Sequence, residues 1–214
     1  MTITLDDAGS GDLLFGVVIG AYRNETQEFT YEIIDVKFFQ QDLFKKKEYL
    51  NETSKVVCKL LNRLELKPDE EIHVCQGYIF DKAVEELRKQ HGDSRVHRVK
   101  VVGEPQRLVE IAYLDEIRNL GYEPLPEREE KRAKNFFHMM RWLKTKPEMI
   151  KYAKTGWPRL ARYRMFNNGK KKHKKITYRV ICAVCGNKCV VPFKPAKNRS
   201  VYCRNCWTKQ KSPT

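Results

Sequence analysis

Four cysteines near the end of the chain constrain its fold more tightly than any other feature of the sequence. Cys182 and Cys185 form one C-x2-C step, Cys203 and Cys206 form a second, and 17 residues separate the pairs. Such a cluster can be a disulfide staple, a redox centre or a metal site. A C-x2-C turn bends the backbone back so that amide N–H groups face the sulfurs and both thiolates converge on one ion. Two such turns at the ends of a short hairpin complete a tetrahedral four-sulfur site, which suits zinc. Gly186 follows the first pair, where a tight turn leaves no room for a side chain. The stretch from Ile176 to Trp207 has few aliphatic side chains to bury, so the metal is expected to supply most of its folding free energy. Cys189 is left as a buried spacer or an alternative ligand.

Compartment bears on the same choice. The start, "MTITLDDAGSGD", has no basic stretch leading into an apolar one, so no secretory signal is visible. No apolar run approaches the roughly 20 residues of a membrane helix. The expectation is a cytoplasmic protein with no membrane partner, where thiols stay reduced; that counts against disulfides.

The net charge of +15 hides a division. Residues 1–126 hold 17 Lys+Arg against 23 Asp+Glu, a net of −6, whereas residues 127–214 hold 25 against 4, a net of +21. No acid follows Glu148, while 18 basic residues do. A solvated face mixes signs; charge this one-sided repels itself until a polyanion relieves it. Nucleic acid, RNA or DNA, is the partner this composition points to.

Along residues 1–123, "TITLD", "LLFGVVIGAY" and "FTYEIIDVKFF" read as strands, the last two joined by "RNETQE". A helix follows from Lys46 to Leu64, with Leu50, Val57, Leu60 and Leu64 at helical spacing. "EIHVCQGYIF" is a buried strand, Asp81 to Gly92 a helix, "RVHRVKVV" a strand, and Gly103 to about Leu120 a helix with Pro105 near its start. Three strands on short turns favour an antiparallel meander, and strands alternating with helices favour parallel crossovers. The expected fold class is α/β, a mixed five-stranded sheet with flanking helices. Residues 124–166 read as a basic helical extension, with Phe136, Met139, Met140 and Leu143 on one side and a second helix starting at Pro147. Within it, "TGWPRLARYRMF" interleaves Trp157, Tyr163 and Phe166 with Arg159, Arg162 and Arg164. That mixture can stack bases and grip phosphates, and it equally suits an amphipathic segment packed on the first domain. Residues 167–175, "NNGKKKHKK", form a basic linker carrying Lys170, Lys171, Lys172, Lys174 and Lys175. Residues 176–214 hold the cysteine module and a basic tail.

Within that module, "CGNKCVVPFKP" and "RSVYCRNCW" resemble zinc ribbons, with their C-G-x3-V-P-F-x-P and V-Y-C-x-x-C patterns. The resemblance covers about 30 residues and implies a nucleic-acid-binding module with Cys182, Cys185, Cys203 and Cys206 as ligands to a structural Zn2+. Lys188, Lys194, Lys197, Arg199 and Arg204 stud it with cations.

The front end carries a second resemblance. In "DDAGSGD", two aspartates end the first strand and a Gly-Ser-Gly stretch lets the chain reverse. Strand order and this placement resemble the ribonuclease-H-like fold, in which clustered carboxylates hold Mg2+ or Mn2+ ions for phosphodiester hydrolysis. The resemblance implies Asp6 or Asp7 as the first-strand ligand, Glu48 or Glu52 as the acid of the first helix, and Asp115 or Glu116 as that of the last. Asp115, four residues after Ile111, is expected near an apolar face. The family's fourth-strand acid has no counterpart, since this chain reads His73-Val74-Cys75-Gln76-Gly77. The aspartate pair also suits a turn cap before "AGSG", with Asp12 a turn residue and His73 a core residue. Three functions stay open: a metal-dependent nuclease, a non-catalytic RNA or ribonucleoprotein (ribosome-associated) factor on the same scaffold, and a protein–protein adaptor.

Overall fold

The computed structural model describes residues 1–128, 130–166, 177–196 and 200–211. The chain divides into two compact units, Met1–Phe166 and Asn167–Thr214.

The first unit is built on β1 (Thr2–Ala8), β2 (Val17–Arg23), β3 (Glu28–Ile34), β4 (Glu71–Cys75) and β5 (Val96–Val99) in the spatial order β3-β2-β1-β4-β5. β1, β2 and β3 pair antiparallel, and β4 and β5 extend the sheet in parallel from β1. The helices are α1 (Gln41–Lys45), α2 (Glu48–Arg63), α3 (Asp81–His91), α4 (Glu104–Asn119) and α5 (Arg132–Thr145). This is the mixed α/β architecture expected from the sequence.

Each face of the sheet has its own apolar cluster. On one, Ile3, Leu5, Ile72 and Val74 pack against Val57 and Leu60 of α2 and Ala83 and Leu87 of α3. On the other, Ala8 and Val18 pack with Val109, Tyr113 and Ile117 of α4 and Met139, Met140 and Leu143 of α5. All seven residues of β2 are buried because both faces are covered, so Val17–Tyr22 read as a run without polar alternation, and Arg23 at the end is buried through ion pairs with Glu70 and Glu28. Each fully buried Val, Leu or Ile contributes about 1.5–3 kcal/mol.

Leu160 and Phe166 belong to the second cluster, so of the two readings of "TGWPRLARYRMF" the packed, amphipathic one describes these side chains. The stretch Pro147–Tyr152 is a 3-10 turn, where the sequence suggested an α-helix. Ala153, its C-cap, leaves the turn in extended conformation and forms an antiparallel bridge with Leu14, so the winding stops after a short 3-10 piece.

In the second unit, β6 (Tyr178–Ile181) and β7 (Lys188–Val191) form an antiparallel hairpin. Helix α6 (Arg204–Lys211) follows. No helix among the described residues is long and apolar enough to cross a membrane.

Candidate functional site

In the first unit the C-terminal ends of β1, β4 and β5 open onto a cleft of about 630 Å³. Ligands collect at this edge of an open sheet, where neighbouring connections diverge and leave a crevice. Asp6 and Asp7 come from the end of β1, Cys75 and Gln76 from β4, Lys100 from just beyond β5, Glu110 from α4, and Arg132 from α5. Trp157 and Tyr78 also line it.

Parallel register sets the centre. Thr4 lies beside His73 and Leu5 beside Val74, so the next step places Asp6 beside Cys75. Ligand atoms of Asp6, Asp7 and Cys75 all lie within 4.8 Å of one another. Burial pushes the Asp6 carboxyl above its usual range, partly offset by a hydrogen bond from the Cys75 thiol. Asp7 is pushed up to about 6, first by burial and further by the Asp6 charge, while the Ser10 hydroxyl pulls the other way. Cys75 is pushed up to about 12 by burial and by Asp6, so at neutral pH it is a thiol that donates to Asp6 rather than a thiolate ligand.

The loop after β1 is held from below. Gly9 sits at φ +84°, and a Cβ there would lie 2.2 Å from the Tyr113 ring, so only glycine lets the loop settle onto α4. The Gly9 carbonyl accepts a hydrogen bond from Nζ of Lys154, a lysine with 0% exposure. Burial lowers Lys154 to about 7, opposed by the charges of Asp12 and Asp7. Asp12 closes the turn after β1, its N–H donating to the Gly9 carbonyl at 3.0 Å, as expected of a turn residue, and its side chain joins a network. It accepts from Arg128 at 2.5 Å and from Asn135 at 2.8 Å, and Arg128 also pairs with Glu110. The Trp157 wall is fixed by its neighbour Gly156, whose N–H donates to the Phe39 carbonyl at 2.9 Å. A Cβ on Gly156 would lie 2.4 Å from Cβ of Phe44.

Of the acids singled out from the sequence, the fold brings Asp6 and Asp7 together. Glu48 accepts from Asn51 at 2.7 Å and Glu52 pairs with Lys55 at 3.3 Å; neither lines the cleft. Asp115 pairs with Arg118 at 3.2 Å, and Glu116 accepts from the Tyr31 hydroxyl at 3.3 Å; they too lie outside the cleft. Asp115 is exposed rather than near an apolar face, because α4 buries Val109, Ala112, Tyr113 and Ile117 and leaves Ile111 39% exposed. Glu110, one residue after buried Val109, is the α4 acid that reaches the cleft. His73 is half-buried, edge-on to His97 with ring centroids 5.6 Å apart.

Arg159, Arg162, Arg164, Lys194 and Arg204 are exposed. Lys170, Lys171, Lys172, Lys174, Lys175, Lys197 and Arg199 lie outside the described residues. Phe166 is buried in the core, and Tyr163 packs on Phe136 with centroids 6.1 Å apart.

In the second unit the four sulfurs of Cys182, Cys185, Cys203 and Cys206 lie within 4.8 Å of one another. The Cys185 and Cys203 sulfurs are 3.8 Å apart, which is about the edge of a tetrahedron with ~2.3 Å zinc–sulfur bonds. Gly186, at φ +71°, closes the first turn through its N–H to the Cys182 carbonyl at 3.0 Å. The Cys203 N–H points at the Cys182 sulfur, 3.2 Å away. Backbone N–H groups of Cys185 and Cys203 pull the Cys182 thiol down to about 6, so this corner is already prepared to be a thiolate. Cys206 rides on the first turn of α6. Cys189, on β7, is outside the group of four, and its thiol is pushed up by burial and by the charges of Cys182 and Cys203. The donor set and its spacing fit a structural zinc ion. No curated protein matches the chain. Residues 175–211, spanning the hairpin, all four cysteines and α6, match a family described as a probable treble clef zinc finger.

Proposed function

We propose that the chain is a nucleic-acid-processing protein. In this reading the cleft of the first unit hydrolyses phosphodiesters with a divalent cation, and the zinc-bearing second unit supplies most of the grip on the strand. The observation that carries it is the convergence of Asp6 and Asp7 at the end of β1 in a cleft also lined by Lys100, Arg132 and Trp157. The sheet order β3-β2-β1-β4-β5 with β2 antiparallel supports the ribonuclease-H-like resemblance.

Two carboxylates are hard oxygen donors, and they fit Mg2+ or Mn2+ better than a soft ion. Held by Asp6 and Asp7, such an ion would supply Lewis-acid polarisation and an activated water. The protein's own part is positioning. The Cys75 thiol orients Asp6, Lys154 and Asn135 fix the loop that follows β1, and Lys100 and Arg132 draw the phosphodiester in. Trp157 and Tyr78 offer ring faces to unpaired bases.

The test is cleavage of single-stranded, duplex and hybrid substrates by zinc-loaded protein with Mg2+ or Mn2+, beside Asp6→Asn/Asp7→Asn. Metal-dependent cleavage lost in the double variant supports the reading. Salt-sensitive binding with every substrate left intact favours a non-catalytic RNA or ribonucleoprotein factor. The observation on that side is the thiol of Cys75 and the amide of Gln76 where the family has an acid.

A further inference from the structure

The cleft contains an arginine that the reaction sketched above does not use. Arg128 lines the cleft and is only 7% exposed. Its guanidinium lies between two carboxylates from distant parts of the chain, Asp12 of the loop after β1 and Glu110 of α4. Its Cζ also sits 5.0 Å above the centre of the Tyr113 ring. The other oxygen of Asp12 accepts from Asn135 at 2.8 Å, so both Asp12 oxygens are held by protein donors.

Four carboxylates of one cleft thus fall into two pairs with different counter-charges. Asp6 and Asp7 sit together, and no ion pair with an arginine is found for either among the described residues. Asp12 and Glu110 are bridged by a group that keeps its charge across the physiological range and presents donors in a rigid fork. A second metal ion joining the Asp12–Glu110 pair would have to displace that guanidinium or share its space against direct repulsion.

We infer that Arg128 stands where a second divalent ion would otherwise bridge Asp12 and Glu110, so that the cleft takes one cation, at Asp6 and Asp7, and the guanidinium of Arg128 occupies the other place. The inference rests on the metal reading of Asp6 and Asp7. It gives Arg128 a role beyond holding the loop: it is the fixed cation on the floor of the cleft, and its position does not depend on metal concentration.

The experiment counts ions rather than turnover. The zinc-loaded chain of residues 1–214 is titrated with Mn2+, with free Mn2+ followed by electron paramagnetic resonance and Asp6→Asn/Asp7→Asn as the blank. The wild type is expected to bind one Mn2+ that the double variant does not bind. Arg128→Ala, which unmasks Asp12 and Glu110, is expected to bind two, and Arg128→Ala/Asp12→Asn to fall back to one. Arg128→Lys is expected to stay at one, since the positive charge remains. Two ions in the wild type overturn the inference and leave the reading of Asp6 and Asp7 standing, and so does a count of one in an Arg128→Ala variant with native circular dichroism. No ion in the wild type removes both. Should Arg128→Ala fail to fold, Arg128→Gln, which removes the charge and keeps most of the side chain, is counted in its place: two ions are expected, and one overturns the inference.

Discussion

Replacing Asp7 by asparagine separates a carboxylate kept for a cation from one kept for a turn. The Asp7 carboxyl is raised from 3.8 to about 6, which corresponds to about 3 kcal/mol against the ionised form in the fold. The folded chain therefore holds this proton more tightly than the unfolded chain does. The stabilising contribution is complete below pH 3.8 and is lost as the pH rises through about 6. Asparagine has the same shape, never ionises, and keeps an oxygen for the Ser10 hydroxyl. At pH 7.5 without divalent metal, Asp7→Asn should stabilise the protein by ~2 kcal/mol, the full figure being discounted because Asp7 retains some contact with water. With a urea slope of about 2 kcal/mol/M, the midpoint should move up by ~1 M. At pH 3.5 the two proteins should unfold together. Mn2+ at a hundred times its Kd should stabilise the wild type by ~2.7 kcal/mol and the variant by little, reversing their order. Urea titrations followed by far-UV circular dichroism in zinc-replete buffer measure all three. If Asp7→Asn is less stable at pH 7.5 without metal, or if Mn2+ lifts both proteins equally, Asp7 is a turn cap and the cation site is elsewhere or absent.

Zinc analysis should give one ion per chain for the wild type and for Cys189→Ser, and none for Cys182→Ser or Cys203→Ser, whose finger should lose its structure as it does with a strong chelator. Nucleic-acid affinity should fall with salt at a log–log slope near −5 on duplex and near −4 on single strands for about six neutralised phosphates. Replacing Lys194 and Arg204 by glutamine should make that slope shallower by about 2; an unchanged slope would place the contacts on other residues. Trp157→Ala should weaken single-strand binding about tenfold, the loss of one stacked base, while Trp157→Phe should keep most of it in fluorescence anisotropy.

The strands and helices of the first unit were legible because their signals are local. Leu50, Val57, Leu60 and Leu64 mark α2 by spacing alone, and "VVIGAY" marks a strand whatever lies around it. The zinc ligands were legible for the same reason, each C-x2-C being a turn that carries its own geometry. The floor of the cleft was not. Lys154 meets Gly9 across 145 residues, and Arg128 meets Asp12 across 116. No period or spacing encodes such pairs; they exist only once α5 and the following turns have packed on α4. The acid on α4 fell on the wrong phase for a related reason. Ile111 suggested the apolar face that would carry Asp115, but the second cluster selects Val109, Ala112 and Tyr113, and that rotation brings Glu110 to the cleft. A single extra apolar residue on an exposed face was enough to mislead a helical count.

The structure also redraws the division of charge. Cut at Phe166, where the first compact unit ends, the front part of the chain carries a net charge of only +2 and the remainder +13 without a single acid. Under the proposed function the cleft attracts a divalent cation and so must be locally negative, and a locally negative site repels the phosphodiester it would receive. The first unit handles this conflict at short range. It pairs Asp12 and Glu110 with Arg128 and sets Lys154 under the loop, which in that reading would leave Asp6 and Asp7 for the cation, with Lys100 and Arg132 also lining the cleft. Those few cations act within about one screening length, roughly 8 Å at physiological salt, which orients a phosphate already in the cleft but does little to capture a strand from solution. Capture needs a larger, uncompensated field, which the second unit, residues 167–214 at +13 without an acid, would supply under the proposed function. Neutralising that unit should therefore lower the rate of association and leave the metal count of the cleft unchanged, whereas Asp6→Asn/Asp7→Asn should do the reverse.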